Sequence, residues 1–148
     1  MNLKDKLAQD LKLSMKEKDT VKKNAVQSIR AAVKQVEIDQ RVELDDDGIT
    51  EVIAKELKRR KDVLPEYEKS GRDDLIEDLK KEIDIIMGYL PSQLSREELD
   101  EIVKSAVLST GASTMKDMGK IMAVVMPQIK GRADGKAVNE IAANYLSK

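Results

Sequence analysis

The sequence predicts an all-α protein on three observations. Glycine and proline are scarce, at seven and three of 148 residues, and charged residues make up 37% of the chain. The apolar residues are almost entirely Leu, Ile, Val, Met and Ala, because Phe and Trp are absent. They recur every three or four residues, which is the spacing of one helix face. We therefore expect a four-helix N-terminal bundle, residues 1–90, followed by a small three-helix C-terminal domain, residues 95–148.

The first two helices are predicted from apolar residues at helical spacing. An apolar residue at every fourth position from Leu3 predicts a helix over about 3–17, with Asn2 as its N-cap. Either Asp19 or Thr20 caps a second helix, which is expected to continue to about residue 43.

The third and fourth helices are predicted from breaks in the pattern. The acidic segment LDDDGIT, residues 44–50, is expected to be a turn, with Thr50 as the N-cap of the third helix. Pro65 should kink or break that helix, and Gly71 should end it in the left-handed conformation. Asp73 is then expected to cap the fourth helix.

The C-terminal domain is predicted to begin after the segment MGYLPSQLS, residues 87–95, because its glycine and proline stop a helix. Ser95 with Glu98 forms a capping-box pattern that opens the fifth helix. Thr114 is expected to start the sixth helix and Asp134 the seventh.

Composition excludes several kinds of site. The chain has no cysteine and no histidine, so thiolate catalysis, Cys-ligated zinc and the commonest general base are absent. The acidic segment 44–50 resembles half of a calcium loop, but Thr50 stands where that loop needs glycine. We predict no metal and no cofactor. The charged N-terminus, the absence of cysteine and the lack of long apolar runs predict a cytoplasmic protein without membrane contact.

Charge is unevenly distributed along the chain. The net charge is −1 overall, whereas residues 112–148 carry six cations and three anions. The densest basic run is KELKRRK, with Lys55, Arg59, Arg60 and Lys61. Its interpretation stays open between a salt-bridged helix face and a secondary phosphate-contacting face.

The segment KGRADGK, residues 130–136, is the strongest candidate binding site. Gly131 as a helix C-cap and Asp134 as an N-cap explain the turn itself. The three cations, Lys130, Arg132 and Lys136, are not needed for the turn. Lys136 in a first helical turn even opposes the helix dipole, whereas a phosphate beside that helix end would be favoured.

The chain resembles the YqeY family in three segments. The family's C-terminal signature is similar to residues 115–146, MKDMGKIMAVVMPQIKGRADGKAVNEIAANYL, and its central motif to residues 89–99, YLPSQLSREEL. Its N-terminal pattern is similar to residues 59–75. The family is related to the tail domain of GatB, the tRNA-recruiting subunit of the glutamine-dependent amidotransferase that converts misacylated Glu-tRNA or Asp-tRNA. Residues 134–135 depart from the Asn-Pro of the GatB tail, and Ala123 from a frequent glycine.

The resemblance implies an all-α, two-part fold and a role close to tRNA. It also implies association with carbon–nitrogen ligase activity that uses glutamine as amide donor, although the sequence contains no catalytic constellation. On this hypothesis Lys130, Arg132 and Lys136 contact phosphates of tRNA or another structured RNA, Lys120 flanks them and Asn139 offers an amide. Without Phe or Trp, base stacking is nearly excluded.

The alternative is a protein–protein adaptor. On this interpretation the methionines of the sixth helix dock an amidotransferase or an aminoacyl-tRNA synthetase. The same helix contains Gly119, where glycine costs about 1 kcal/mol relative to alanine. We expect this glycine to let the fifth or seventh helix pack closely.

Overall fold

A computed structural model describes residues 2–146 and confirms the all-α fold, with no strand among those residues. The chain divides into two compact units, the N-terminal unit ending at Leu90 and the C-terminal unit beginning at Pro91. None of the described helices is long and apolar enough to cross a bilayer. The helices are α1 (Leu3–Lys16), α2 (Thr20–Gln40), α3 (Asp46–Ser70), α4 (Asp73–Met87), α5 (Arg96–Thr110), α6 (Met118–Ile129) and α7 (Gly135–Leu146), with a short 3-10 helix at Met115–Asp117.

The N-terminal unit consists of α1 to α4 around one apolar core. The first two helices begin as their capping chemistry predicts, since the Asn2 side chain accepts a hydrogen bond from the Asp5 N–H and Asp19 accepts one from Lys22. The core residues are Leu7, Ala25, Val26, Ile29, Val33, Ile49, Val52, Ile53, Leu57, Leu79, Ile83 and Ile86.

The start of α3 differs from the prediction. The helix begins at Asp46, and the Asp45 carboxylate caps it by accepting a hydrogen bond from the Gly48 N–H at 2.8 Å. Thr50 is therefore inside the helix, where its hydroxyl donates to the Asp46 carbonyl. The acidic residues that suggested a turn are instead well placed in a first helical turn, because the helix dipole stabilises negative charge there.

Three other helix ends can be compared with the prediction. The second helix stops three residues early, at Gln40, because Arg41 adopts a left-handed φ of 55°. The third continues through Pro65 to Ser70, so it does not break before the proline, and Gly71 ends it with a φ of 71°. The fourth begins at Asp73 itself, without a side-chain cap from the preceding residue.

The C-terminal unit consists of α5 to α7 around a second core. The predicted capping box is present, with the Ser95 hydroxyl and the Glu98 carboxylate each accepting the other's backbone N–H. The core residues are Leu99, Val103, Ala106, Ile121, Val125, Ile129, Val138, Ile141, Ala142 and Leu146.

The buried face of α6 is not the methionine face. Ile121, Val125 and Ile129 are fully buried, whereas Met126 is 43% exposed and Met115, in the 3-10 helix, is 54% exposed. Gly119 lies on the exposed side, and a Cβ built there meets no atom within 4 Å. The predicted close packing at Gly119 is therefore wrong.

Candidate phosphate-binding loop

The KGRADGK segment forms a tight connection between α6 and α7. Gly131 has a φ of 73°, in the left-handed region that favours glycine. The Arg132 and Ala133 N–H groups then both donate to the Ile129 carbonyl, at 2.7 and 3.1 Å. These bonds satisfy the last turn of α6 and fix the backbone from which the cationic side chains project.

Asp134 occupies the anion position at the start of α7. Its carboxylate accepts a hydrogen bond from the Lys136 N–H at 3.1 Å, and its carbonyl accepts from the Ala137 and Val138 N–H groups. A phosphate at this helix end would therefore compete with a carboxylate that is already in place. Any phosphate bound here must be held mainly by the cationic side chains, not by the helix N-terminus that the sequence suggested.

The loop is also bonded to the segment that precedes α5. The Gln93 side-chain amide donates to the Gly131 carbonyl at 2.8 Å, and the Leu94 N–H donates to the Arg132 carbonyl at 2.9 Å. The Arg132 Nε donates to the Ser92 carbonyl at 3.0 Å. The central motif and the loop, which lie about 40 residues apart, thus form one hydrogen-bonded unit.

These bonds change the expected role of Arg132. Its guanidinium holds the 91–95 segment, and its charge also helps to lower the pKa of Glu98, after the larger effects of the Ser95 N–H and hydroxyl. Arg132 is half-buried, whereas Lys130 and Lys136 are exposed. The two lysines are therefore the better placed side chains for contact with an external anion.

The two outer members of the predicted site differ in position. Lys120 lies ten residues before Lys130, which is about 15 Å along the helix at 1.5 Å per residue. Its Nζ is 3.6 Å from the Asp117 carboxylate, so the prediction that it flanks the loop is wrong. Asn139, in contrast, is exposed one turn after Lys136 on the neighbouring helix surface.

Arg60, in the secondary basic face, is not available to an external ligand. Arg60 is buried and donates to the Glu56 carboxylate at 2.7 Å, while its Nε is 3.8 Å from a Glu82 carboxylate oxygen on α4. The expectation that Arg60 could contact a phosphate is wrong, because this guanidinium is used inside the N-terminal unit. Lys55, Arg59 and Lys61 are exposed.

Acidic side chains do not assemble a metal site. Among residues 2–146, no group of three or more Asp or Glu side chains is arranged to hold a metal ion. The acidic segment before α3 has a structural role, since Asp45 caps that helix and the Asp46 carboxylate accepts the Leu3 N–H at 3.0 Å.

Similar curated proteins share one name, "Altered inheritance of mitochondria protein 41, mitochondrial". The Pyrenophora tritici-repentis protein is 29% identical over 148 residues, covering 97% of this chain and 76% of its own length. The Kluyveromyces lactis protein is 39% identical over 98 residues, covering 64% of this chain and 52% of its own length. The Saccharomyces cerevisiae protein (strain YJM789) is 33% identical over 135 residues, covering 87% and 69%.

The names of these relatives correct the predicted localisation. They are called mitochondrial proteins, so the expectation of a cytoplasmic protein is contradicted. That expectation depended on the absence of cysteine and on the charged N-terminus, and neither feature distinguishes one reducing compartment from another.

The match to a family model covers almost the whole chain. The model described as "Yqey-like protein" matches residues 4–146, which include both units and the two hydrogen-bonded motifs. The S. cerevisiae relative, at 33% identity over 87% of this chain, is consistent with that match. The chain belongs to the YqeY family.

Proposed function

We propose that this protein binds tRNA or another structured RNA through backbone phosphates, as an accessory protein without its own catalytic site. One observation carries the proposal. Lys130 and Lys136 are exposed on a loop whose turn is formed by Gly131 and Asp134. Exposed cations on such a loop, in a family member that resembles a tRNA-recruiting domain, favour a polyanionic partner.

The rigidity of the loop supports the same function. Gln93 and Leu94 donate to the carbonyls of Gly131 and Arg132, and the Arg132 side chain donates back to the Ser92 carbonyl. Two further bonds, from the N–H groups of residues 132 and 133, reach the Ile129 carbonyl. A binding loop that is already ordered loses less conformational entropy when it meets its ligand. In this proposal Arg132 positions the loop, and the neighbouring lysines make most of the phosphate contact.

The recognition mode is expected to be shape and phosphate, with little base preference. Stacking on RNA bases needs exposed aromatic rings, and this chain has only three tyrosines. Tyr89 and Tyr145 are hydrogen-bonded to Asp10 and Asp100. Tyr67 lies on α3, in the other unit from the loop.

The test is filter binding of total tRNA at several salt concentrations. The variant Lys130→Gln/Lys136→Gln leaves the Arg132 hydrogen bonds intact, so its fold should be unchanged. The slope of log binding constant against log salt concentration should become shallower in the variant. The change should be about 0.9 for a duplex, or about 0.7 for a single strand, for each phosphate that the variant no longer neutralises. Lys104→Gln/Lys116→Gln removes the same charge at exposed positions away from the loop and serves as the control. Equal slopes in the parent and the loop variant would rule out phosphate contact by these lysines.

A second variant separates the turn from the binding site. Asp134→Ala removes the carboxylate that accepts the Lys136 N–H, and loss of such a cap costs about 1 kcal/mol. Its melting temperature should fall, whereas the lysine variant should melt like the parent. If both variants reduce stability equally, the lysines are structural.

A protein–protein adaptor is the second candidate, and a specific observation favours it. Met115, Met126 and Leu108 are exposed, the last by 75%, all in the C-terminal unit. Exposed methionines suit an adaptable docking surface for an amidotransferase or an aminoacyl-tRNA synthetase. Pull-down with and without nuclease separates the candidates, because an adaptor keeps its partner after nuclease treatment whereas an RNA-bridged partner is lost.

A further inference from the structure

The second helix carries a concentration of positive charge that the chain-wide totals conceal. The helix, Thr20–Gln40, contains four cations and two anions, whereas the rest of residues 1–90 contains fifteen cations and nineteen anions. From residue 20 to residue 36 there is no acidic side chain at all. This part of an otherwise acidic unit is therefore basic.

The charges on α2 lie along one solvent-facing stripe. At 100° per residue, Lys23, Gln27, Arg30 and Lys34 fall within a sector of about 60° and extend over about 16 Å of helix. Gln27, Arg30 and Lys34 are exposed and Lys23 is half-buried. The opposite side of α2 forms part of the core, since Ala25, Val26, Ile29 and Val33 are buried there. We call Lys23, Gln27, Arg30 and Lys34 the α2 stripe.

The cations of the α2 stripe are not neutralised by the protein. Among residues 2–146, no carboxylate oxygen lies within 4.0 Å of the charged groups of Lys23, Arg30 or Lys34. In the same unit, Lys81 does pair with Glu77 one turn away. The α2 stripe therefore presents three cations without a carboxylate contact, between Asp19, four residues before Lys23, and Glu37, three residues after Lys34.

Helix stability does not account for this arrangement. Cations are favoured near a helix C-terminus and anions near the N-terminus. In α2 the order is reversed, since Lys22 and Lys23 lie near the start and Glu37 and Asp39 near the end. The fold explains Glu37, because its carboxylate accepts hydrogen bonds from Lys4 Nζ and from the Leu44 N–H, both at 2.8 Å. The two lysines at the start of α2 remain opposed to the dipole.

We propose that the α2 stripe is a second phosphate-contacting surface for structured RNA. This inference rests on the proposed function, because it assigns the same class of ligand to a different unit of the chain. Lysine, arginine and glutamine are side chains that commonly contact phosphate and sugar oxygens, and none of them reads base sequence from such contacts alone. Two separate contact surfaces on one chain strengthen binding when a single RNA can reach both.

The composition of the α2 stripe favours RNA over other anionic partners. A helix that lies in a membrane interface buries a broad apolar face in the lipid, and the apolar face of α2 is already buried in the core. The residues that dominate protein interfaces are enriched in Trp, Tyr and Arg, and the α2 stripe contains no aromatic residue. A row of cations with one amide matches a phosphate backbone best.

The experiment compares full-length variants by filter binding of total tRNA between about 50 and about 200 mM salt. Lys23→Gln/Arg30→Gln/Lys34→Gln removes the three charges of the α2 stripe. Glutamine is a good helix former, so α2 should persist. Each neutralised phosphate contributes about 0.7 to 0.9 to the slope of log Kd against log salt concentration. Removing these three cations should therefore reduce the ratio of the Kd at about 200 mM salt to the Kd at about 50 mM salt by about 20- to 40-fold. Lys69→Gln/Lys80→Gln/Lys104→Gln removes equal charge from exposed positions elsewhere and should leave that ratio close to the parent's.

The outcomes separate this inference from the proposed function. A shallower slope for the α2 variant but not for the control supports the α2 stripe. If only the Lys130→Gln/Lys136→Gln variant changes the slope, the inference is overturned and the loop assignment stands. If only the α2 variant changes it, the loop assignment fails and the α2 stripe stands. A parent chain that binds no RNA overturns both.

A vesicle measurement tests whether the α2 stripe binds an anionic membrane surface instead of RNA. The parent and the α2 variant are each sedimented with phosphatidylserine vesicles. RNA contact predicts that the α2 variant loses RNA affinity whatever its adsorption to the vesicles, because cations are attracted to any anionic surface. If the α2 variant binds RNA like the parent but adsorbs less to the vesicles, the α2 inference alone is overturned.

Discussion

Replacing Arg60 with alanine should destabilise the N-terminal unit far more than replacing its neighbour Arg59. Both guanidinium groups donate to the same oxygen of Glu56, at 2.7 Å from Arg60 and 2.9 Å from Arg59. They differ in burial, since 10% of the Arg60 side chain is exposed against 69% of that of Arg59. Comparing the two variants therefore measures how burial changes the strength of an arginine–carboxylate ion pair.

The expected magnitudes follow from that burial. Removing Arg60 leaves the Glu56 carboxylate, itself only 9% exposed, without its buried partner and also removes the bond to the Glu56 carbonyl. Losing one member of a buried ion pair costs about 3 to 5 kcal/mol, and the lower figure applies because both groups still reach some water. Arg59→Ala should cost about 0.5 kcal/mol, as exposed pairs do.

Hydrogen exchange measured by mass spectrometry can test this in the N-terminal unit alone. Amides of α3 that exchange by opening of the unit should lose protection about 150-fold in Arg60→Ala and about twofold in Arg59→Ala. Amides of α7, in the C-terminal unit, serve as an internal control. Equal losses of protection in the two variants would refute the reasoning, because burial would then not decide the strength of the pair.

Four further predictions concern local structure. Ser95→Ala should remove about 1 kcal/mol from the C-terminal unit, measured by thermal melting. The Ser95 N–H holds the pKa of Glu98 below 4.5. The ionised Glu98 carboxylate should therefore stabilise the C-terminal unit above that pH, and this stabilisation should be lost as the pH falls through the lowered pKa. Glu98→Gln should flatten this acid dependence. Burial, followed by the bond to Asp10, raises the pKa of Tyr89 above 10, so stability should decline as the pH rises beyond 10, and less in Tyr89→Phe. Gly119→Ala should raise the melting temperature, since the added Cβ meets open space and alanine gains about 0.5 to 1 kcal/mol; a lower melting temperature would place Gly119 at a packed surface.

The features that the sequence predicted well are local ones. Asn2, Asp19 and Ser95 each cap a helix within three residues of their own position, so the capping group and the amide it accepts from lie in the same short segment. The prediction failed where several local choices were equivalent. Asp45 and Thr50 are both good caps, and the structure uses the earlier one, so that Ile49 lies within the helix and in the core.

Two other errors come from tertiary structure. The sequence of α6 is so uniformly apolar that its periodicity leaves the buried face undetermined. Packing against α5 and α7 buries Ile121 fully, while Met118 and Met122 are only partly buried against the same core. Helical spacing places Arg60 beside the apolar residues Ile53, Leu57 and Leu64, whereas Arg59 points away from them. What the spacing within α3 could not show is Glu82 of α4, whose carboxylate lies 3.8 Å from the Arg60 Nε.

The net charge of a whole domain does not reveal the α2 stripe, because the stripe occupies only one face of one helix. Residues 1–94 have a net charge of −2, and that total hides residues 20–36, which contain four cations and no anion. A phosphate near the surface responds to charges within a Debye length, about 8 Å at physiological ionic strength. At that range the cations of the α2 stripe act together with the acids at its two ends, Asp19 and Glu37, and acidic residues on distant helices are screened. Charge summed along one exposed helix face therefore predicts an anion-binding surface better than charge summed over a domain, and the salt dependence of the Lys23, Arg30 and Lys34 variant tests that directly.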